Sequence, residues 1–249
     1  MAVAGRNAVV TGGGSGIGRS IALRLARDGL RVAIFDLDGA GAEAVACEVR
    51  AGGGRAVAIQ VDVSRGSDVA QAAAEVRREL GVAQVLVNDA GICEFVPFAQ
   101  MTDAQWERTL AVNLGAMFHC AKVFLPDMTA SGWGRVVNLS SVAGLSGGAP
   151  ALVHYAASKG GVVGFTKALA LEVGPSGITV NAIAPGLIDT PMVRNAQVPS
   201  ALIEHTVQRT PMRRVGQPED IAAACAYLVS EEAGFVTGQV LSPNGGTYA

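Results

Sequence analysis

Short runs of apolar, often β-branched residues recur at positions 8–10, 32–35, 57–61, 85–88, 135–139 and 179–183. Longer stretches with apolar residues at helical spacing alternate with them, as at 20–28, 40–50, 68–80 and 156–172. The first pattern predicts strands and the second helices. Strands this uniformly apolar have no solvent face, so helices must cover the sheet on both sides, as in parallel pairing. Right-handed crossovers then wind the chain into an α/β fold, a doubly wound parallel sheet of about seven strands flanked by helices. Ligands of such sheets bind in the crevice beyond the carboxyl ends of the strands.

Polar and glycine-rich residues concentrate at those ends: 11–18, Asp36, Asp62, 88–91, 140–141, and Pro185 with Gly186. Neither a linker nor an internal repeat divides the sequence, so residues 1–249 read as one Rossmann-type dinucleotide-binding and catalytic domain. One long stretch lacks clear periodicity. Residues 187–214 mix Leu187, Ile188, Met192, Val193, Leu202, Ile203 and Met212 with Pro191, Pro199 and Pro211. That makeup suits a lid over a substrate site and also occurs in plain surface excursions.

Composition narrows the partners. Half of the 249 residues are apolar, 16% are charged, and the net charge is −2. A large core is available, and no basic stripe is present to hold phosphate backbones or anionic lipid. Nucleic acid and membrane are therefore not expected as partners. Every apolar stretch is cut by Gly, Pro or charge before the ~20 residues of a membrane span. The amino end lacks the charged start and long apolar core of a secretory signal, so a cytoplasmic location is expected. Cys47, Cys93, Cys120 and Cys225 form no CxxC pair and have no His or carboxylate at ligand spacing. They read as free thiols, and no metal site is expected.

The segment Thr11-Gly12-Gly13-Gly14-Ser15-Gly16-Ile17-Gly18 follows directly on the first strand and opens the first helix. Glycines there permit positive φ and close approach of a pyrophosphate, while the helix start offers N–H groups and a favourable dipole. The strict GxGxxG register is absent. Gly12, Ser15, Gly16, Ile17 and Gly18 are the expected contacts. Asp36 ends the second strand about 20 residues on, placed to accept hydrogen bonds from adenosine ribose hydroxyls. A 2′-phosphate would meet that charge, and neither Ser15 nor Leu37 brings a balancing cation. NAD(H) is thus expected over NADP(H). Asp62 and Val63 follow the third strand and fit an adenine contact, although an aspartate there also suits a helix cap.

Tyr155 and Lys159 lie four residues apart in a helical segment and share one face. A phenol ordinarily titrates at about 10. A neighbouring ammonium stabilises phenolate and lowers that value, the role expected of Lys159. Tyr-x-x-x-Lys alone is a common spacing in amphipathic helices. Its company makes it informative, because the fifth strand ends in Asn138-Leu139-Ser140-Ser141. A hydroxyl there can hydrogen-bond a substrate carbonyl alongside Tyr155.

In this order the motifs resemble those of the short-chain dehydrogenase/reductase family along essentially the whole chain. Residues 11–18 match its TGxxxGxG, and Asn88-Asp89-Ala90-Gly91 stands where it usually carries Asn-Asn-Ala-Gly. Asn113, Ser141, Tyr155 and Lys159 match its catalytic tetrad. Pro185, Gly186 and Thr190 match its nicotinamide-side segment, with Ile188 among the expected contacts. The resemblance implies hydride exchange between a nicotinamide cofactor and a CH–OH or carbonyl group. Ser141 would polarise the carbonyl oxygen and Tyr155 give or take the proton. Lys159 would lower the Tyr155 pKa and hold the nicotinamide ribose, while Asn113 holds a water that extends the proton relay. A homotetramer formed through the helices carrying Asn113 and Tyr155 is implied as well.

The expected substrate is a small-molecule secondary alcohol or ketone, with aryl or cyclic compounds suited to candidate walls at 93–96, 145–153, 187–193 and 202–207. The alternative is a 3-oxoacyl-thioester (3-hydroxyacyl) reductase or dehydrogenase, which the segment 237–246 also resembles. Such enzymes of lipid synthesis generally prefer NADPH, against which Asp36 argues, whereas NAD-using members of the β-oxidation type fit. Asp89 departs from the family, since a carboxylate donates no hydrogen bond unless protonated. Asn88, Ala90 and Gly91 are kept as cofactor contacts, and Asp89 has no assigned role. His119, His154 and His205 show no metal geometry, and His154 is expected to be structural although it adjoins Tyr155.

Overall fold

The computed structural model describes residues 3–195 and 200–248. Its strands are β1 (Asn7–Thr11), β2 (Arg31–Asp36), β3 (Ala56–Gln60), β4 (Val85–Asn88), β5 (Gly134–Leu139), β6 (Ile178–Ile183) and β7 (Val240–Leu241). They form one sheet in the order β3-β2-β1-β4-β5-β6-β7, and all pairs are parallel. The helices are α1 (Gly16–Arg27), α2 (Gly39–Ala51), α3 (Gly66–Glu79), α4 (Asp103–Leu110), α5 (Ala116–Ser131), α6 (Val142–Ser146), α7 (Val153–Val173), α8 (Pro191–Asn195), α9 (Ser200–Arg209) and α10 (Pro218–Val229).

The continuous apolar runs have a direct physical reading. Ala8 and Val10 of β1, with Val32 and Ile34 of β2, enter a core beneath α1, α2 and α10. The residues between them, Val9, Ala33 and Phe35, enter a second core beneath α3, α5 and α7. Successive side chains point to opposite faces of a strand, so a sheet covered on both sides must be apolar at every position. The winding reverses at β1, which has β2 on one side and β4 on the other. A ligand crevice opens at such a reversal.

Three features differ from the sequence pattern. The described part of 187–214 carries two helices, α8 and α9. Pro191 opens α8 at the first helical position, where a missing N–H costs nothing. Pro199 lies outside the described residues. Second, α4 continues through a π-helical segment, Ala111–Gly115, into α5. The continuous helix Asp103–Ser131 is long and apolar enough, by length and composition, to cross a membrane. Here its Cys120, Phe124 and Met128 are buried in the core under the sheet. Third, β3 ends at Gln60, although the Val61 N–H still donates to the Asp36 carbonyl at 2.9 Å.

Candidate active site

The glycine loop is shaped by what surrounds it. Gly12 has φ +67°, and a Cβ there would stand 2.9 Å from the Ala90 Cα. A Cβ on Gly18 would lie 2.2 Å from the Gly12 carbonyl oxygen, so α1 packs on the end of β1 only because that atom is missing. The Gly14 N–H donates to Asp36 Oδ2 at 2.8 Å, and the Asp38 N–H donates to Oδ1 at 2.9 Å. These bonds orient the Asp36 carboxylate. Thr11 Oγ1 accepts the N–H groups of Asp89 and Ala90, each at 3.1 Å, joining the ends of β1 and β4.

A groove of about 580 Å³ runs over this surface. Gly12, Ser15, Gly16 and Ile17 line it from the loop, and Asp36, Leu37, Asp62 and Val63 from the ends of β2 and β3. Asp89, Ala90, Gly91 and Thr190 close its inner side. Asp62 takes the Ser64 N–H at 3.0 Å and the Ser64 hydroxyl at 2.6 Å, in a turn ahead of α3, whose N-cap is Arg65.

The groove leads into a cavity of about 110 Å³, where Ser141, Tyr155 and Lys159 meet Pro185, Gly186, Ile188 and Thr190. Ser141 ends the chain's run out of β5 and caps α6, its Oγ accepting the Ala143 N–H at 3.1 Å. The Ser141 hydroxyl also bonds the Tyr155 phenol and favours its ionised form. Lys159 is buried and donates to the Leu139 carbonyl at 2.7 Å, while the Ser140 hydroxyl donates to the Lys159 carbonyl at 2.8 Å. An outer vestibule of about 610 Å³ follows, walled by Cys93, Glu94, Phe95, Pro191 and Asn195. Gly91 and Met192 line all three spaces.

The electrostatics differ from the expectation for Tyr155. Burial, with Cys93 nearby, pushes the phenol above its ordinary value and outweighs the bond from Ser141. The Lys159 ammonium stands 5.8 Å from the centre of the Tyr155 ring, and its bond goes to Leu139. A phenol lowered by Lys159 is therefore not what this structure contains. Burial brings Lys159 down to about 8, opposed by Asp89. It brings the Asp89 carboxyl up to about 7, opposed by Lys159 and by a bond from the Gly18 N–H.

Other expected contacts are placed differently. Asn88 is buried and donates to Asn138 Oδ1 at 2.8 Å, so it ties β4 to β5 and lies off the groove wall. Gly18 also lies off that wall, serving the contact of α1 with β1. The Asn113 side chain is fully buried, with its amide engaged by Ile92 and Ser158. His154 is fully buried, and neither ring nitrogen has a hydrogen-bond partner among the described residues. Of the expected pocket walls, 145–153 line none of these three spaces, while Thr206 and Val207 face a separate cavity of about 250 Å³.

The sequence reading does not single out Arg108 or Val112, and it quotes Thr11 and Asn138 within their segments without giving either a role. Arg108 and Val112 reach the groove from the helix that carries Asn113. A polar residue at the end of a buried strand, as with Thr11 and Asn138, was the available signal for two of the four.

The family profile described as Enoyl-(Acyl carrier protein) reductase matches residues 12–248. The chain is 40% identical over 248 residues to the 3-oxoacyl-[acyl-carrier-protein] reductase FabG of Pseudomonas aeruginosa, covering 100% of this chain and 99% of that protein. It is 41% identical over 240 residues to Nodulation protein G of Azospirillum brasilense, covering 96% of each. Among solved structures it is similar to the short-chain dehydrogenase/reductase SDR:Glucose/ribitol dehydrogenase of Brucella melitensis. That match has a TM-score of 0.91 and 35% identity, covering 99% of this chain and 98% of the other.

Proposed function

The chain belongs to the short-chain dehydrogenase/reductase family, and from that premise we propose that it exchanges hydride between NAD(H) and the 3-position of a 3-oxoacyl or 3-hydroxyacyl thioester. The observation that carries this reading is the meeting of three spaces at Gly91 and Met192, with Ser141 and Tyr155 in the smallest of them. An extended dinucleotide fits the groove that Gly12, Ser15, Gly16 and Ile17 line from the loop. The vestibule that opens at the same junction has room for an acyl thioester. The names of the relatives at 40% identity support a thioester over a simple ketone.

A nicotinamide held by the groove residues would supply hydride in reduction and accept it in oxidation. Ser141 donates its hydroxyl to the carbonyl oxygen and stabilises the charge that gathers there. Tyr155 gives that oxygen a proton in reduction and removes it in oxidation. Lys159 keeps a positive charge beside the phenol, while Asn113 acts at one remove by holding Ile92.

Preference for NAD(H) rests on Asp36. Its carboxylate is fixed at the groove and Leu37 beside it is uncharged. Arg108, the one cationic side chain on the described groove wall, pairs with Glu94 at 3.4 Å. A homotetramer formed through α5 and α7 belongs to the same proposal, supported by the exposed Phe118 and Leu171 on those helices. Residues 187–214, with Met192 at the junction of the spaces, are proposed as the lid.

A second reading, oxidation of a compact secondary alcohol, is favoured by the small catalytic cavity with Ile188 and Val193 on its wall. Steady-state assays with a short 3-oxoacyl thioester and a panel of aryl and cyclic ketones, each with NADH and NADPH, separate the two. The thioester is expected to have the higher kcat/KM by about tenfold or more, since remote binding energy contributes to its turnover. A ketone preferred by that margin sinks the thioester reading.

A further inference from the structure

We propose that Asp89 is a cofactor-positioning residue whose carboxyl takes up a proton when the diphosphate of the dinucleotide settles on the amino end of α1. The proposal rests on the dinucleotide reading above and concerns the one motif position where this chain carries an acid in place of the family's usual amide.

Asp89 follows β4 at the point where the sheet's winding reverses, and its backbone is held by Thr11 Oγ1. From there its side chain reaches α1, where it accepts the Gly18 N–H. A Cβ on Gly18 would stand 2.7 Å from Asp89 Oδ2. Asp89 lines both the groove and the catalytic cavity, so it stands where the two halves of a dinucleotide would meet.

The first turn of a helix attracts anions through its N–H groups and its dipole. In α1 that turn contains no acidic residue, and Ser15 makes no side-chain cap bond. Asp89 supplies the carboxylate, and a diphosphate bound on the same turn brings further negative charge beside it. Like charges brought together favour protonation of the group that can accept a proton. The diphosphate ionises too strongly to be that group.

The neighbours of Asp89 leave it poised for this exchange. Lys159 on α7 favours its ionised form, and Asp36 from β2 opposes it. Cys225 on α10 and Tyr155 on α7 are both pushed up by the Asp89 charge. Burial is the largest influence and holds the carboxyl near neutrality. Lys159 is committed to the Leu139 carbonyl and forms no ion pair with Asp89 among the described residues. An amide at this position would carry no charge in either state and would have no proton to gain.

NADH binding to the whole chain, measured by calorimetry between about pH 6 and about pH 8.5 in buffers of different ionisation heat, gives both Kd and the protons taken up. The wild-type Kd is expected to rise above about pH 7, by up to about tenfold per pH unit, with up to about one proton taken up on binding. Asp89→Asn is expected to bind NADH with a Kd flat across that range and lower than the wild type's at about pH 8. Asp89→Ser, also neutral, repeats the comparison if the amide disturbs folding. Wild-type binding with a flat Kd and no proton uptake overturns the proposal alone. So does a dependence that persists in both variants, which would belong to Lys159. Absence of NADH binding by every protein at every pH overturns the dinucleotide reading and this proposal with it.

Discussion

Asn113 grips Ile92 through both atoms of its side-chain amide: Oδ1 accepts the Ile92 N–H at 2.8 Å and Nδ2 donates to the Ile92 carbonyl at 2.9 Å. Nδ2 also donates to Ser158 Oγ at 3.1 Å, linking the π-helical segment to α7. Asn113 is fully buried, so no water is at hand to replace these bonds. Asn113→Ala should cost roughly 2–4 kcal/mol of stability, because it orphans buried polar groups as well as removing bonds. Denaturant unfolding measures this. The KM for NADH should rise as well, since Ile92 and Gly91 line the groove.

Gly18→Ala tests the approach of α1 to β1. Its new methyl would meet the Gly12 carbonyl at 2.2 Å, a backbone atom that cannot step aside. A loss of about 3 kcal/mol or more is expected in thermal or denaturant unfolding, at the upper end for overpacking.

Cofactor choice should follow the charge at the end of β2. In the double variant Asp36→Ser with Leu37→Arg, an anion is removed and a guanidinium placed where a 2′-phosphate would lie. The ratio of kcat/KM with NADPH to that with NADH should rise by about tenfold or more. An unchanged ratio would remove Asp36 from the cofactor site.

The pH dependence should split by direction of reaction. The raised Tyr155 phenol stays protonated across the neutral range, so reduction at saturating NADH is expected to hold level to about pH 7.5. It should decline above about 8, where Lys159 loses its charge. Oxidation needs the phenolate, whose fraction grows about tenfold per pH unit below the phenol's pKa. Its rate should therefore climb over the same neutral range.

Stability carries its own pH signature. Asp89 is raised from 3.8 to about 7, so the folded chain holds a proton that the unfolded chain has released. The stabilisation from that proton is complete below about pH 4 and is lost as pH rises through about 7. Asp89→Asn should therefore be more stable than wild type at pH 8 by roughly 1–3 kcal/mol, a difference that fades towards pH 4. Denaturant midpoints at the two pH values measure it.

The sheet was legible from β1 to β6 because those strands are buried, β3 only in part, a condition that writes itself into the residues as apolar runs. The two residues of β7 pair only with Ala182 and Ile183, too short a stretch to show any period. In α8, a proline that reads as a breaker is a helix starter, because it occupies the first helical position, where no N–H is needed. Tyr155, Lys159 and Ser141 could be named from spacing and strand ends. Where their atoms point could not. The bond from Lys159 to Leu139 depends on how α7 packs on β5, and that from Asn88 to Asn138 on the register that sets the two opposite each other across β4 and β5. Local pattern holds no record of that register, which is why a strand-end asparagine reads from sequence as a cofactor contact while its side chain bonds Asn138.

The account turns on Tyr155 as the proton-carrying group, and Tyr155→Phe removes one oxygen while leaving the ring in place. Single-turnover and steady-state rates, read beside NADH affinity on the same protein, test it most directly. Turnover should fall by about a hundredfold or more, while the Kd for NADH stays within about threefold of wild type. Turnover retained at near wild-type levels, with the phenylalanine verified in the folded protein, would contradict it.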